Sequence, residues 1–251
     1  MQDQYADLVD VHLTSHIHGD HTNYGLIKRL LDRGKTVVVS DDTKAVWHTT
    51  RPDVWDKVTT LLPDTDTTLH GLDVRRLGGP GKGLPLVESM RMIPTGLFNC
   101  SADVETITKH ADGTFNMSYT GPDPMMNVYL VRDPASGFTL LHNGDNRCRD
   151  FVRPALVRAI AEGWDPTLFA RTRPFPPSPK LELELWDILP ELIIFPGHNY
   201  EFGHKGGHPR VPTHAEYIAG YFNSQEIGPQ MAAGHFMTWS WGERFDWSTA
   251  K

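Results

Sequence analysis

The sequence predicts an α/β fold, and three observations carry that prediction. Strand-like apolar runs and runs of helical periodicity interleave along the chain. Strands are more numerous in the middle of the chain than a simple doubly wound sheet requires. No repeat, linker or low-complexity tract interrupts the 251 residues, so 1–251 reads as one domain, with an aromatic-rich C-terminal tail over 235–251.

Taken in order, residues 7–15 alternate as a strand does. "NYGLIKRLLDRG" puts Tyr24, Ile27, Leu30 and Leu31 at helical spacing and stops at Gly34. "TVVVS" reads as a short buried strand, "DDTKAVWHTTRPDVWDKVTTLL" as helix broken at Pro52, and "LDVRRL" and "SMRMIP" as strands. "VETITKHADGTFNMSY" predicts a hairpin about Ala-Asp-Gly, and "MMNVYLVRDPASGFTLLHNGD" a second one across Asp133 to Gly137. A helix ("FVRPALVRAIAEG"), a short strand near "PTLFA", a helix ("LELELWDILP") and the buried strand "LIIFP" follow, and a polar loop leads into "HAEYIAGYFN". "RTRPFPPSPK" is a loop between elements.

Composition narrows the function. No apolar run is long enough to cross a bilayer and no basic-then-apolar leader opens the chain, so a cytoplasmic protein without membrane association is expected. A net charge of -7 argues against nucleic acid as a partner. Two cysteines, Cys100 and Cys148, exclude a disulfide framework. There is no phosphate-binding glycine loop, dinucleotide fingerprint or Gly-x-Ser-x-Gly elbow.

The chemistry concentrates in "TSHIHGDHTNYG", where His16, His18, Asp20 and His21 follow an apolar strand directly. In an extended segment His16, His18 and Asp20 share a face, while Gly19 permits a tight turn and His21 enters at the helix start. Neutral imidazoles with a carboxylate are borderline donors suited to Zn, Fe or Mn. Crowding so many imidazoles without a metal would depress their pKa values for no benefit.

The segment resembles the His-x-His-x-Asp-His signature of metallo-β-lactamase-fold hydrolases. The resemblance implies an αββα sandwich, a metal site along one edge, and one or two divalent ions, Zn first, with Mn or Fe as alternatives. It matches Asp145, at the end of the strand in "FTLLHNGDN", to the carboxylate that bridges two metals, and His198, after the strand in "LIIFPGHNY", to the final metal histidine. It implies that metal-activated water does the hydrolysis, with Asp20 accepting or relaying the proton. Small esters, lactones or phosphodiesters are the expected substrates, on likeness to the lactonase-like and phosphodiesterase-like branches.

Two departures stand out. The family carries a further histidine where this chain has "SMRMIPTGLFNCSADV", so Asn99, Cys100 and, further on, His110 are the candidate extra ligands. Family members also have several strands ahead of the motif, whereas few residues precede it here. The expectation is a sandwich lacking its usual first strands, as a fragment, by loan from a partner or by shortening, and an uncovered edge would favour homo-oligomers. Arg147, Tyr200 and His204 are candidates for binding a small, anionic substrate. The alternative is a degenerate, non-catalytic member of the fold serving as a metal-containing binding module.

Overall fold

A computed structural model describes residues 2–17, 22–77, 104–109, 115–119, 127–143, 149–172, 180–197 and 233–235. Five helices and ten strands run through them: α1 (Gln2–Leu8), β1 (Val11–Leu13), α2 (Tyr24–Asp32), β2 (Thr36–Val38), α3 (Asp41–Thr50), β3 (Asp66–Leu69), β4 (Leu72–Arg76), β5 (Val104–Lys109), β6 (Phe115–Tyr119), β7 (Tyr129–Arg132), β8 (Thr139–His142), α4 (Arg149–Ala161), β9 (Leu168–Thr172), α5 (Lys180–Ile188) and β10 (Ile193–Gly197). β1 pairs in parallel with β2, and a six-stranded mixed sheet has the order β10-β9-β8-β7-β4-β3. β8, β9 and β10 are parallel to one another, as strands joined through helices must be, while β3, β4 and β7 join by antiparallel pairing. The β5–β6 hairpin forms the third sheet.

Side-chain alternation stacks these elements into four layers. Val37 and Val39 face one way from the β2 segment, into a cluster with Ile27, Leu30 and Trp47 of the N-terminal helices. Val38 faces the other way and meets Leu61, Val74 and Tyr129, between the two sheets. On the far side of the six-stranded sheet Leu130, Leu141, Phe169 and Ile194 pack against Leu156, Leu185 and Trp186 of α4 and α5. The order is helices, β1–β2, six-stranded sheet, helices. Burying each large apolar side chain contributes about 1.5–3 kcal/mol, which explains why strands covered on both faces lack polar alternation. The predicted αββα sandwich is the arrangement observed.

Two local readings change. Residues 7–15 are not one strand: α1 runs to Leu8, and β1 holds only Val11–Leu13. Ala6 and Val9, three apart, both pack on the cluster beneath α2, so a helical period hides within the apparent alternation. β3 has no counterpart among the strands the sequence predicts, because "DTTL" is an edge strand of partly exposed, mostly polar residues. The helix over 41–50 ends before Pro52, but residues 53–62, read as its continuation, form turns and a bridge from Thr59 to Val38 instead; both predicted hairpins form. The segments "SMRMIP" and "HAEYIAGYFN" lie outside the described residues.

Candidate functional site

Two residues, Thr14 and Ser15, separate β1 from His16. Thr14 N donates to Val38 O at 2.9 Å, extending the parallel ladder one bond beyond β1. His16 follows with 0% exposure, unusual for an imidazole. Ser15 Oγ lies 2.9 Å from His16 Nδ1 and orients the ring. On the far side of the motif the Thr22 hydroxyl donates to the His16 carbonyl oxygen, tying its two ends together. Asn23 then caps α2, its side chain accepting from Leu26 N at 3.0 Å.

The six-stranded sheet brings its own strand ends to this segment. Arg76, Tyr129, His142, Ala170 and Phe195 pair in succession, forming one lateral row across β4, β7, β8, β9 and β10. β4 and β8 end on this row, β7 begins on it, and β9 and β10 end two residues beyond it. The Tyr129 hydroxyl donates to Thr14 O at 2.9 Å, and Asn127 N donates to Ser15 O at 2.7 Å. The segment entering the histidine motif therefore lies at the same sheet edge as the ends of β8 and β10.

Asp145 stands three residues after His142, and His198 three after Phe195. Both lie outside the described residues, as do His18, Asp20, His21, Asn99, Cys100, His110, Arg147, Tyr200 and His204. Of the sequence-predicted ligands, His16 is the described one. Among the described residues no group of three His, Cys, Asp or Glu could hold a metal ion.

Buried polar residues gather at this edge. Thr14, Ser15, His16, Thr22, Arg76, Asn127 and Asn143 are all buried. Several form a continuous chain: Arg76 Nη1 meets Asp41 Oδ2 at 2.7 Å and Asn127 Oδ1 at 3.4 Å, Asn127 Nδ2 donates to the Tyr129 oxygen at 2.6 Å, and Tyr129 donates to Thr14 O. Burial pushes the Tyr129 phenol far above its ordinary value, so it stays protonated and keeps donating. Asn127 and Arg76 also bind β4, β7 and the start of α3 into one polar seam.

The sequence reading missed Arg76, Asn127, Tyr129 and Asp41. A signal was present in "VRRL": neighbours in a strand face opposite sides, so in a four-layer fold one of two adjacent arginines must enter the inter-sheet layer and needs a partner. Arg75 faces the other way, pairing with Asp66 and with Glu162 at 2.6 Å and lying 5.3 Å over the Trp164 ring.

His16 fits the part of a metal ligand. Its ring is withdrawn from water and held through Nδ1 by a hydroxyl, the kind of outer contact that fixes a ligating imidazole.

No protein-family model and no curated protein sequence matches the chain. Solved structures do resemble it. A possible metal-dependent hydrolase from Veillonella parvula DSM 2008 aligns over 97% of this chain and 78% of its own, at 14% identity and a TM-score of 0.53. Unliganded yeast PDE1 aligns over 92% of this chain and 67% of its own, at 14% identity and a TM-score of 0.48. The metallo-β-lactamase fold protein YhfI from Bacillus subtilis aligns over 77% of this chain and 65% of its own, at 12% identity and a TM-score of 0.41. At 14% identity the likeness to the Veillonella protein speaks for the fold alone. A mixed sheet between helical layers is consistent with the metallo-β-lactamase-like fold that the opening motif implied.

Proposed function

We propose that the protein is a metal-dependent hydrolase that directs an activated water at a small ester, lactone or phosphodiester. The observation that supports this reading most is the meeting of strand ends. The segment entering His16 and the ends of β8 and β10 share one sheet edge, and the chain continues from those two strands to Asp145 and His198 within three residues of the pairing row. Two strand spacings separate β8 from β10, about 10 Å, and three residues of chain span at most about the same distance. On this reading Asp145 and His198 would share a common ion. The Veillonella protein of similar fold is named a possible metal-dependent hydrolase, which agrees with this reading.

His16, His18, Asp20, His21, Asp145 and His198 would hold one or two divalent ions, zinc before manganese or iron. Bound there, the metal would supply a hydroxide nucleophile near neutral pH and polarise a carbonyl or phosphoryl oxygen. Asp20 would take the proton of the attacking water. Ser15 keeps the His16 ring oriented, and the closed layers on either side exclude bulk water from its back. Arg147, Tyr200 and His204 would bind an anionic group of the substrate. No helix among the described residues is long and apolar enough to cross a membrane; a cytoplasmic location and association into homo-oligomers complete the proposal.

Elemental analysis of the purified protein, followed by turnover on lactone and phosphodiester panels with Asp20→Ala alongside, tests the reading. Bound metal with turnover abolished by the substitution supports it. Bound metal without turnover favours the degenerate, metal-containing binding module, to which the lack of the family's further histidine already points.

A further inference from the structure

We propose that Tyr129 and Asn127 are positioning residues for the metal-binding segment: a clamp reaching from the six-stranded sheet that fixes the backbone from which His16 is presented. The inference rests on the metal-site reading above. It begins from the two carbonyls immediately ahead of His16. Thr14 O accepts from the Tyr129 hydroxyl at 2.9 Å, and Ser15 O accepts from Asn127 N at 2.7 Å. Consecutive carbonyls of an extended chain point in opposite directions, so holding both fixes two adjacent peptide planes and leaves the His16 Cα little rotational freedom. Thr22 holds the His16 carbonyl in turn, and Ser15 Oγ the ring.

The clamp is itself braced. Arg76 Nη1 donates to Asn127 Oδ1, Asn127 Nδ2 donates to the Tyr129 oxygen, and Tyr129 donates to Thr14 O, so every bond runs in the same direction and each polarises the next. Tyr129 sits in the apolar layer between the sheets, where a phenylalanine would satisfy the packing. Among the described residues its hydroxyl bonds Thr14 O and Asn127 Nδ2. A polar chain crossing an apolar layer to end on the backbone beside a buried histidine serves precision at that histidine better than it serves packing.

Zinc affinity of the whole chain, measured by competition with a chromogenic chelator, is the readout, with the thermal midpoint of the metal-free protein recorded for each variant. Tyr129→Phe keeps the ring and removes the hydroxyl; loss of such an outer contact should weaken zinc binding about tenfold or more. Val131→Ala trims the same inter-sheet cluster without touching the clamp, and should lower the midpoint while leaving zinc affinity at the wild-type value. Asn127→Ala, which deletes the Nδ2 donor to the Tyr129 oxygen and, at 3.5 Å, to Thr14 O but keeps the backbone bond to Ser15, should weaken zinc binding in the same direction. Zinc affinity unchanged in both Tyr129→Phe and Asn127→Ala overturns the inference, as does an equal loss in Val131→Ala. A wild-type chain that takes up no zinc overturns the hydrolase reading and the clamp with it, whereas zinc-binding wild type with indifferent variants overturns the clamp alone.

Discussion

Removing the Asp41 carboxylate strands a buried charge, and its cost can be worked from the contacts. Arg76 is 2% exposed; its Nη1 meets Asp41 Oδ2 at 2.7 Å and Asn127 Oδ1 at 3.4 Å, and its Nε has no hydrogen-bond partner among the described residues. Breaking a fully buried pair by deleting one partner costs about 3–5 kcal/mol. The Asp41 side chain is 43% exposed, so water can enter the vacated position, and for Asp41→Ala we expect about 2 kcal/mol. In a chain of 251 residues this lowers the thermal midpoint by roughly 4–8 °C. Urea unfolding of Asp41→Ala, Arg76→Met and the double variant provides the assay. Arg76→Met in the Asp41→Ala background removes the stranded charge, so the double variant should be about 1 kcal/mol or more less destabilised than the two singles summed. Strict additivity, or an Asp41→Ala within about 0.5 kcal/mol of wild type, would refute the claim that this seam is a coupled, desolvated network.

Three further outcomes concern His16, His12 and Trp186. His16→Asn should weaken zinc binding by at least about a hundredfold, more than any outer contact, and zinc affinity preserved in that variant removes His16 from the ligand set. Burial holds the His12 pKa below its ordinary value, so the unfolded chain accepts a proton that the folded one resists. Its contribution to stability is complete above about pH 6.5 and is lost as pH falls below that. His12→Gln should accordingly flatten the pH dependence of the midpoint just below 6.5, and parallel curves for the two proteins contradict the assignment. Trp186 Nε1 donates to Leu192 O at 2.8 Å from a buried position between α5 and β10. Trp186→Phe should cost about 2 kcal/mol in urea unfolding, from the orphaned carbonyl and the void together, and an unchanged unfolding free energy argues against that contact.

Most of the fold was legible because turn chemistry and periodicity agreed. The hairpin at Asp133–Gly137 closes with Asp133 accepting from Ala135 N at 3.0 Å and Gly137 at φ 75°, the job for which aspartate and glycine are chosen in turns. α2 begins at a capping asparagine and stops before Gly34, also with positive φ, as its sequence suggests. Where two periods coexist, as over residues 6–13, pattern alone gave a strand that was too long, and the helix prevailed because Ala6 packs on the α2 cluster. The candidate site was legible as a density of ligands and as strand ends, since both are local. Its scaffold was not. Thr14 and Tyr129 are 115 positions apart, Arg76 and Asn127 are 51 apart, and nothing in either neighbourhood names the other. A polar residue inside an apolar strand signals only that some partner is needed; the topology decides which one.

Anomalous diffraction at the zinc absorption edge from zinc-soaked crystals would locate the proposed metal site itself. A peak is expected at the end of β1 beside the ends of β8 and β10, with the His16 and His198 imidazoles on one ion or on a pair sharing the Asp145 carboxylate. A peak elsewhere, or Asp145 and His198 beyond coordination reach of the His16 segment, would contradict it.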